Sequence, residues 1–258
     1  MYSKPLILVT NDDGITAPGI RFLIKIMNSI GEVVVVAPDS PKSAMGHAIT
    51  VNSTLSCTKI KIDSGPQSEY SCSGTPADCV KLALNEILNK KPDLCVSGIN
   101  HGSNSSINII YSGTMSAALE AGIQGIPAIG FSLLDYRWEA NFKPFTRAIE
   151  IITHNTLRKK NSNNLVLNVN MPKVNHEKEI MGIKICRQAR AHWIEKFDKR
   201  INPMGKEYFW LSGDFINNDK KNDTDEWALS NDFISIVPVQ YDFTAYNMIE
   251  ELNKWSFE

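Results

Sequence analysis

The chain has 258 residues, of which 43% are apolar and 21% are charged, and its formal net charge is −1 at pH 7. This composition is typical of a globular protein that buries a sizeable core. The near-neutral charge argues against a protein that binds duplex nucleic acid, because such domains usually carry a basic excess.

The cysteine content and the N-terminal segment bear on the compartment. Five cysteines are present without a CxxC pair, and Cys79 and Cys95 lie among apolar neighbours. We therefore expect buried, reduced thiols. The N-terminal apolar run ends at carboxylates rather than at a small-residue cleavage site, and no stretch reaches the ~20 apolar residues of a membrane helix. We expect a cytoplasmic protein without a membrane association.

Strand and helix patterns alternate over the first 172 residues. Apolar, β-branched runs that predict strands occupy 5–10, 32–38, 92–100, 126–134 and 163–172, and helical spacing occupies 19–31, 73–88, 112–125 and 142–157. Continuous apolar runs are typical of parallel strands that are covered on both faces. The alternation predicts an α/β fold, a Rossmann-like doubly wound sheet that is mostly parallel and has right-handed crossovers.

Other segments depart from this alternation. Residues 48–71 alternate at period two, which predicts antiparallel strands. Residues 180–216 resemble a hairpin with its turn at Asn202–Gly205, and its aromatic residues are expected to form a hairpin core or a subunit contact rather than a base-stacking platform. A strand over 233–243 and a short helix near 245–255 follow.

The domain organisation follows from the absence of a recognisable linker or internal repeat. We predict one domain over residues 1–258. Its core extends to about residue 180, and a C-terminal hairpin and arm extension occupies about 181–258.

Polar side chains follow three of the predicted strands. They are Asn11, Asp12 and Asp13 after the first strand, Asp39, Ser43 and His47 after the second, and Ser97, Asn100, His101 and Asn104 at the end of the third. In a doubly wound sheet, ligands bind beyond the carboxyl ends of the strands, at the point where the strand order reverses. We therefore expect these side chains to converge on one site.

The adjacent carboxylates of Asp12 and Asp13 repel each other when both are ionised, and a divalent cation between them would offset this repulsion. We predict that Asp12, Asp13, Ser43 and Asn100 bind one Mg²⁺ or Mn²⁺ ion. Each residue alone has a simpler interpretation, because Asp12 and Asp13 could form a turn, Ser43 a cap and Asn100 a turn. Their joint position at the strand ends favours the cation.

Ser112, Gly113 and Thr114 lie directly before a helix rich in alanine. A helix start offers free N–H groups and a partial positive charge to a phosphate, although Ser112 or Thr114 could equally be an ordinary N-cap. A cation beside a phosphate site predicts phosphoester hydrolysis. The missing GxGxxG and GxxxxGK[ST] motifs argue against a dinucleotide enzyme and a P-loop enzyme. His47 and His101 could transfer protons or make structural hydrogen bonds.

Several motifs together resemble the SurE family of survival-protein nucleotidases. They are ILVTNDDGITAPGI, VVVVAPDSPKSAMGHAIT, SGTPADCVKLAL, PDLCVSGINHGSN, YSGTMSAALEAG, LVLNVNMP and TDEWALSNDFISIVP. The resemblance implies a metal-dependent phosphatase of nucleoside 5′-monophosphates, often also of 3′-monophosphates and sometimes of short polyphosphate. It places the metal ligands on Asp12, Asp13, Ser43 and Asn100 and the phosphate contacts on Ser112, Gly113 and Thr114. It also implies a homodimer or homotetramer with an exchanged C-terminal arm.

The leading hypothesis is therefore hydrolysis of a nucleoside monophosphate. Asp12 and Asp13 would be catalytic, Asp12 could serve as the general base, and Asn11 or Asn104 could also hold phosphoryl oxygens. One alternative is a non-catalytic module that senses or binds a nucleotide for regulation. A second is a nucleotide-cofactor oxidoreductase on the same fold, against which the missing glycine motif argues.

Overall fold

The computed structural model describes residues 4–159 and 164–257. Within these residues the strands are β1 (Leu6–Thr10), β2 (Glu32–Pro38), β3 (Cys57–Ile60), β4 (Ser68–Cys72), β5 (Leu94–His101), β6 (Ala128–Leu133), β7 (Val166–Met171), β8 (Gly182–Ile185), β9 (Ala191–Ile201), β10 (Glu207–Asn217) and β11 (Phe233–Val239). The helices are α1 (Pro18–Ile30), α2 (Pro76–Leu82), α3 (Gly113–Ile123), α4 (Thr146–Arg158), α5 (Asp225–Ser230) and α6 (Tyr246–Leu252).

One large sheet has the strand order β3-β4-β2-β1-β5-β6-β7-β11-β8. The strands from β4 to β7 in this order are parallel, whereas β3 is antiparallel to β4 and β11 is antiparallel to β7. The strands β2, β3 and β4 lie on one side of β1, and the strands from β5 onward in this sheet lie on its other side. The strand order therefore reverses between β1 and β5. The predicted doubly wound, mostly parallel α/β sheet is confirmed.

Helices cover both faces of this sheet. Ile7 and Val9 of β1 pack in the core that includes α1 and α4, whereas Leu8 packs in the core that includes α2 and α3. Because successive strand residues point to opposite faces, a strand buried on both sides must be apolar throughout. This is why the apolar runs predicted the parallel strands correctly.

The structure corrects two details of the predicted antiparallel segments. Within 48–71, only β3 and β4 form an antiparallel pair, and residues 48–56 are irregular. At the start of 180–216, β8 joins the large sheet beside β11 instead of belonging to the hairpin. The first residue of the predicted strand at 163–172 lies outside the described residues.

Strands β9 and β10 form a separate antiparallel hairpin, as predicted, and its turn is closed by a hydrogen bond from Gly205 N to Asn202 O at 2.9 Å. All residues of β9 after Ala191 are exposed, and α6 has no buried residue. Large apolar side chains are among those exposed, including Phe197 at 68% and Trp210 at 60%. Across the described ranges, none of the helices has the length and apolar character needed to cross a membrane.

Candidate active site

Asp12 and Asp13 follow β1 at the point where the strand order reverses. The Asp12 side chain is 4% exposed, and the hydroxyl of Thr114 donates to its Oδ1 at 2.5 Å. A Cβ placed on Gly113 would lie 2.6 Å from the Asp12 Cβ, closer than two carbon atoms can pack. The start of α3 therefore lies directly against the first carboxylate, and this approach requires glycine at position 113.

The local environment disfavours ionisation of both carboxyl groups. Burial, followed by the charge of Asp13, raises the pKa of Asp12 to about 7, although the Thr114 hydrogen bond lowers it. Burial also raises the pKa of Asp13, against the effect of the His101 backbone N–H, which donates to its Oδ2 at 3.3 Å. Desolvated like charges of this kind are stabilised by a bound proton or by a cation.

The other two predicted ligands lie on segments that reach the same carboxylates. The Lys42 N–H donates to the Asp12 carbonyl at 2.8 Å, which fixes the loop after β2 immediately before Ser43, whose side chain is exposed. Asn100 lies near the end of β5, beside the residue whose N–H contacts Asp13. Its Nδ2 donates to Gly102 O at 2.8 Å, so its carbonyl oxygen is the atom available to a cation.

Asn11 and Asn104, predicted to contact phosphate, have different surroundings. The Asn11 Nδ2 donates to Gly14 O at 2.9 Å, and within the described part of the chain its buried Oδ1 has no hydrogen-bond partner. The Asn104 Nδ2 donates to Ser132 Oγ at 2.8 Å, and its backbone is held by the side chains of Asn168 and Asn170. Asn104 therefore anchors the loop after β5 to the ends of β6 and β7.

The segment Ser112–Thr114 contains the N-cap and the first residues of α3. Ser112 is the N-cap of α3, because its Oγ accepts the Met115 N–H at 3.0 Å. Thr114 instead directs its hydroxyl at Asp12. The N–H groups of Gly113 and Thr114 lie in the first turn, where a helix has no acceptor for them within itself. The alternative of an ordinary N-cap thus applies to Ser112 but not to Thr114.

The two histidines near the site make hydrogen bonds to other residues. His47 Nε2 lies 2.9 Å from Oε2 of Glu120, whose Oε1 accepts from Lys81 Nζ at 2.7 Å. His101 Nδ1 lies 2.8 Å from the Arg137 carbonyl oxygen, and its ring stacks on Trp138. Both side chains therefore have structural hydrogen bonds.

Glu120 is a residue that sequence reasoning missed. It is 2% exposed on α3, and Lys81 and His47 lower its pKa although burial opposes them. Its ion pairs link α3 to α2 and to the loop that contains Ser43. A charged residue inside the otherwise small and apolar helix pattern SAALEAG was the available signal, because a buried charge needs a partner.

The chemistry of the four predicted ligands suits a hard divalent cation. Two carboxylates, an amide carbonyl and a hydroxyl are the oxygen ligands that Mg²⁺ and Mn²⁺ prefer. The buried Asn11 Oδ1, which has no partner within the described residues, and the raised pKa of Asp12 are both compatible with a bound cation. Over residues 4–159 and 164–257, no group of three or more His, Cys, Asp or Glu could hold a metal, so a thiolate or imidazole site is not an alternative there.

Comparisons with known proteins agree with the fold and the motifs. The model of the family described as "Survival protein SurE" matches residues 7–195. A protein of Flavobacterium psychrophilum named 5′-nucleotidase SurE is 67% identical, with 98% of each chain covered, and a protein of Carboxydothermus hydrogenoformans with the same name is 44% identical, with 96% of this chain and 95% of the relative covered. The crystal structure of the SurE protein from Aquifex aeolicus superposes with a TM-score of 0.82 at 39% identity, covering 96% of this chain and 98% of that one. This chain belongs to the survival protein SurE family.

Proposed function

We propose that this protein is a metal-dependent phosphatase that hydrolyses nucleoside 5′-monophosphates to nucleoside and phosphate. Relatives that share up to 67% of its sequence carry the name 5′-nucleotidase. The observation that carries the proposal is the direct contact between the start of α3 and Asp12, made by Thr114 and by the bare Cα of Gly113. A phosphate-binding element and a cation-binding carboxylate are thereby adjacent. Nucleoside 3′-monophosphates and short polyphosphate are further proposed substrates.

Asp12, Asp13, Ser43 and Asn100 would hold one Mg²⁺ or Mn²⁺ ion in each subunit. When bound, the ion would lower the pKa of a water molecule and offset negative charge on the phosphoryl group. The N–H group of Gly113, between Ser112 and Thr114, would donate to a phosphoryl oxygen, and the positive end of the α3 dipole would favour the same charge. Ser112 keeps this first turn in place by capping it.

Asp12 is the proposed general base for the attacking water. A carboxylate that binds a metal ion can also accept a proton from the attacking water, and Asp12 lies directly against the start of α3. The Thr114 hydroxyl fixes one carboxylate oxygen, which leaves the other for proton transfer. Asn11, with its unpartnered Oδ1, and Asn104 complete the proposed polar lining.

We also propose that the protein is a cytoplasmic homodimer or homotetramer that forms through its C-terminal region. The β9–β10 hairpin, α6 and the segment between β11 and α6 expose large apolar side chains that no described part of this chain covers, including Phe209 at 56% and Phe243 at 85%. A second copy would bury them, because contiguous apolar surface of this extent usually marks an interaction site.

A phosphate-release screen over nucleoside monophosphates tests the activity, with each divalent ion and with EDTA. We expect turnover with Mg²⁺ or Mn²⁺, its loss in EDTA, and a fall of at least ~10³-fold in Asp12→Asn, a size typical of losing a principal catalytic group. Glu32→Gln is the matched control, since it makes the same change at an exposed position at the start of β2. Full metal-dependent activity in Asp12→Asn would refute the assignment.

The alternative function is a non-catalytic module that binds a nucleotide for regulation. Such a module would bind nucleoside monophosphates without releasing phosphate under any divalent ion. Equilibrium binding measured beside phosphate release separates these two functions. The names of relatives that share up to 67% of the sequence favour the catalytic one.

A further inference from the structure

Three cysteines that the proposed reaction does not use lie together at one end of the large sheet. Cys57 on β3 is directly opposite Cys72 on β4, and β3 is the terminal strand. Cys79 on α2 packs in the same core as Cys72. Cys57 is exposed, whereas Cys72 and Cys79 are buried.

The backbone hydrogen bonds define the geometry of the Cys57–Cys72 pair. The Ser73 N–H donates to the Ser56 carbonyl at 3.0 Å, which makes Ser56 and Ser73 the hydrogen-bonded pair of this antiparallel ladder. Because hydrogen-bonded and non-hydrogen-bonded pairs alternate, Cys57 and Cys72 form a non-hydrogen-bonded pair, with Cα atoms typically ~4.5 Å apart. Disulfides form at Cα separations of ~4.4–6.8 Å. Because directly opposite residues of a ladder point to the same face of the sheet, the register of this pair is compatible with a disulfide.

We propose that Cys57 and Cys72 form a reversible oxidation site that reacts with small-molecule disulfides to give an intrachain disulfide. The exposed Cys57 thiolate attacks the small disulfide, forms a mixed disulfide and releases one small thiolate. The Cys72 thiolate then attacks the Cys57 sulfur, forms the Cys57–Cys72 bond and releases the second thiolate. The two cysteine protons end on the two released thiolates, so the small disulfide is reduced by two electrons and the cysteine pair is oxidised by two.

The surroundings of Cys72 favour the second step. Hydrogen bonds from the Cys79 thiol and from the Gly74 N–H, at 3.4 Å, lower the pKa of Cys72 to about 7 although burial opposes them. At pH 7 about half of such a thiol is ionised, against about 3% of an ordinary cysteine with a pKa of ~8.5, and the thiolate is the attacking species. The pKa of Cys57 is raised by burial and by Cys72, so capture of the small disulfide is the slow step.

Peptide mapping after incubation of the full-length protein with glutathione disulfide tests the proposal. Cleavage after lysine places Cys57 in the peptide 43–59 and both Cys72 and Cys79 in the peptide 62–81. We expect these two peptides to become joined, with fragmentation locating the bond at Cys57 and Cys72, and reduction with dithiothreitol to separate them. A Cys72–Cys79 bond inside the second peptide, a disulfide between two chains through Cys57, or no bond would each overturn the proposal.

Single substitutions test the order of the steps. In Cys72→Ser the glutathione adduct should accumulate on Cys57, because the thiolate that would displace glutathione is missing. The amount of this adduct should be at least ten-fold higher than in the wild type. Cys57→Ser should form neither adduct nor bond, and this exposed position should tolerate serine. Cys186→Ala is the matched control and should react like the wild type. An adduct that persists on wild-type Cys57 without a bond to Cys72 would refute the second step even if Cys72→Ser fails to fold.

Discussion

Asp12→Asn should stabilise the metal-free fold while it removes activity. The carboxyl group of Asp12 has an ordinary pKa of 3.8, and the folded protein raises it to about 7 through burial and the charge of Asp13. The folded state therefore holds the proton more tightly than the unfolded state, and the free energy of unfolding falls as the pH rises from about 4 to about 7. Each pKa unit corresponds to about 1.4 kcal/mol, so the full penalty above pH 7 is about 4 kcal/mol.

Asparagine carries no charge and keeps an oxygen that can accept the Thr114 hydrogen bond, so the variant avoids this penalty. In EDTA, urea unfolding should show Asp12→Asn more stable than the wild type by up to about 4 kcal/mol at pH 8, and this gap should shrink by roughly 2 kcal/mol at pH 5.5. Saturating Mg²⁺ or Mn²⁺ should stabilise only the wild type, by about 2.7 kcal/mol at one hundred times the dissociation constant.

The measurement requires a fixed protein concentration, because subunit association also contributes to stability. Glu32→Gln again serves as the control and should show no pH-dependent difference from the wild type. An Asp12→Asn variant that is equally or less stable than the wild type at pH 8 in EDTA would contradict the conclusion that the folded protein strains this carboxylate.

Three further predictions test a contact of the site, a buried structural carboxylate and the exposed hairpin. Thr114→Val should lower kcat/KM by about 10–100-fold in phosphate-release assays, since a hydrogen bond to a charged group contributes ~1.5–3 kcal/mol. Thr114→Ser keeps the hydroxyl and should keep most of the activity. Equal loss of activity in both variants would contradict this role of the hydroxyl. Asp225→Asn should destabilise the fold by ~1–3 kcal/mol in urea unfolding. The two oxygens of the Asp225 carboxylate accept the N–H groups of Ser106 and Ala189 at 2.8 and 2.9 Å, and in asparagine one of these N–H groups would face the side-chain NH₂ instead of an oxygen. Trp210→Glu should reduce the mass measured by light scattering, and an unchanged mass would exclude the exposed hairpin face as the subunit contact.

The central strands and the position of the candidate site could be predicted from the sequence, because a strand buried on both faces is an uninterrupted apolar run. The runs at β1 and β2 are apolar without interruption, so their ends, and with them Asp12 and Ser43, could be placed at one edge of a sheet. The segment 48–56 could not be predicted in this way. Period-two alternation indicates that a strand could form, but a strand also needs a partner edge, and here β4 pairs with β2 and β3 instead.

Side-chain partners within the site were harder to predict than its location. Thr114 was predicted as a phosphate contact or a cap, but its hydroxyl binds Asp12, which lies 102 residues earlier in the sequence. Glu120 pairs with His47 across 73 residues. Such pairings depend on how α3 is rotated over the sheet, and this rotation is set by packing of small residues that leave little periodic pattern in the sequence.

The charges around the start of α3 explain why phosphate binding at this site should depend on a cation. A phosphate monoester brings up to two negative charges next to Asp12 and Asp13, and two like charges ~4 Å apart repel by about 4 kcal/mol at an effective dielectric constant of 20. The helix start offers only about half a positive charge in return. Without added positive charge the net interaction is repulsive, so inorganic phosphate should bind measurably with Mg²⁺ or Mn²⁺ and far more weakly in EDTA. With the proposed cation site, the carboxylates would thus make occupancy by anions conditional on the cation, a coupling that a helix start alone would not provide.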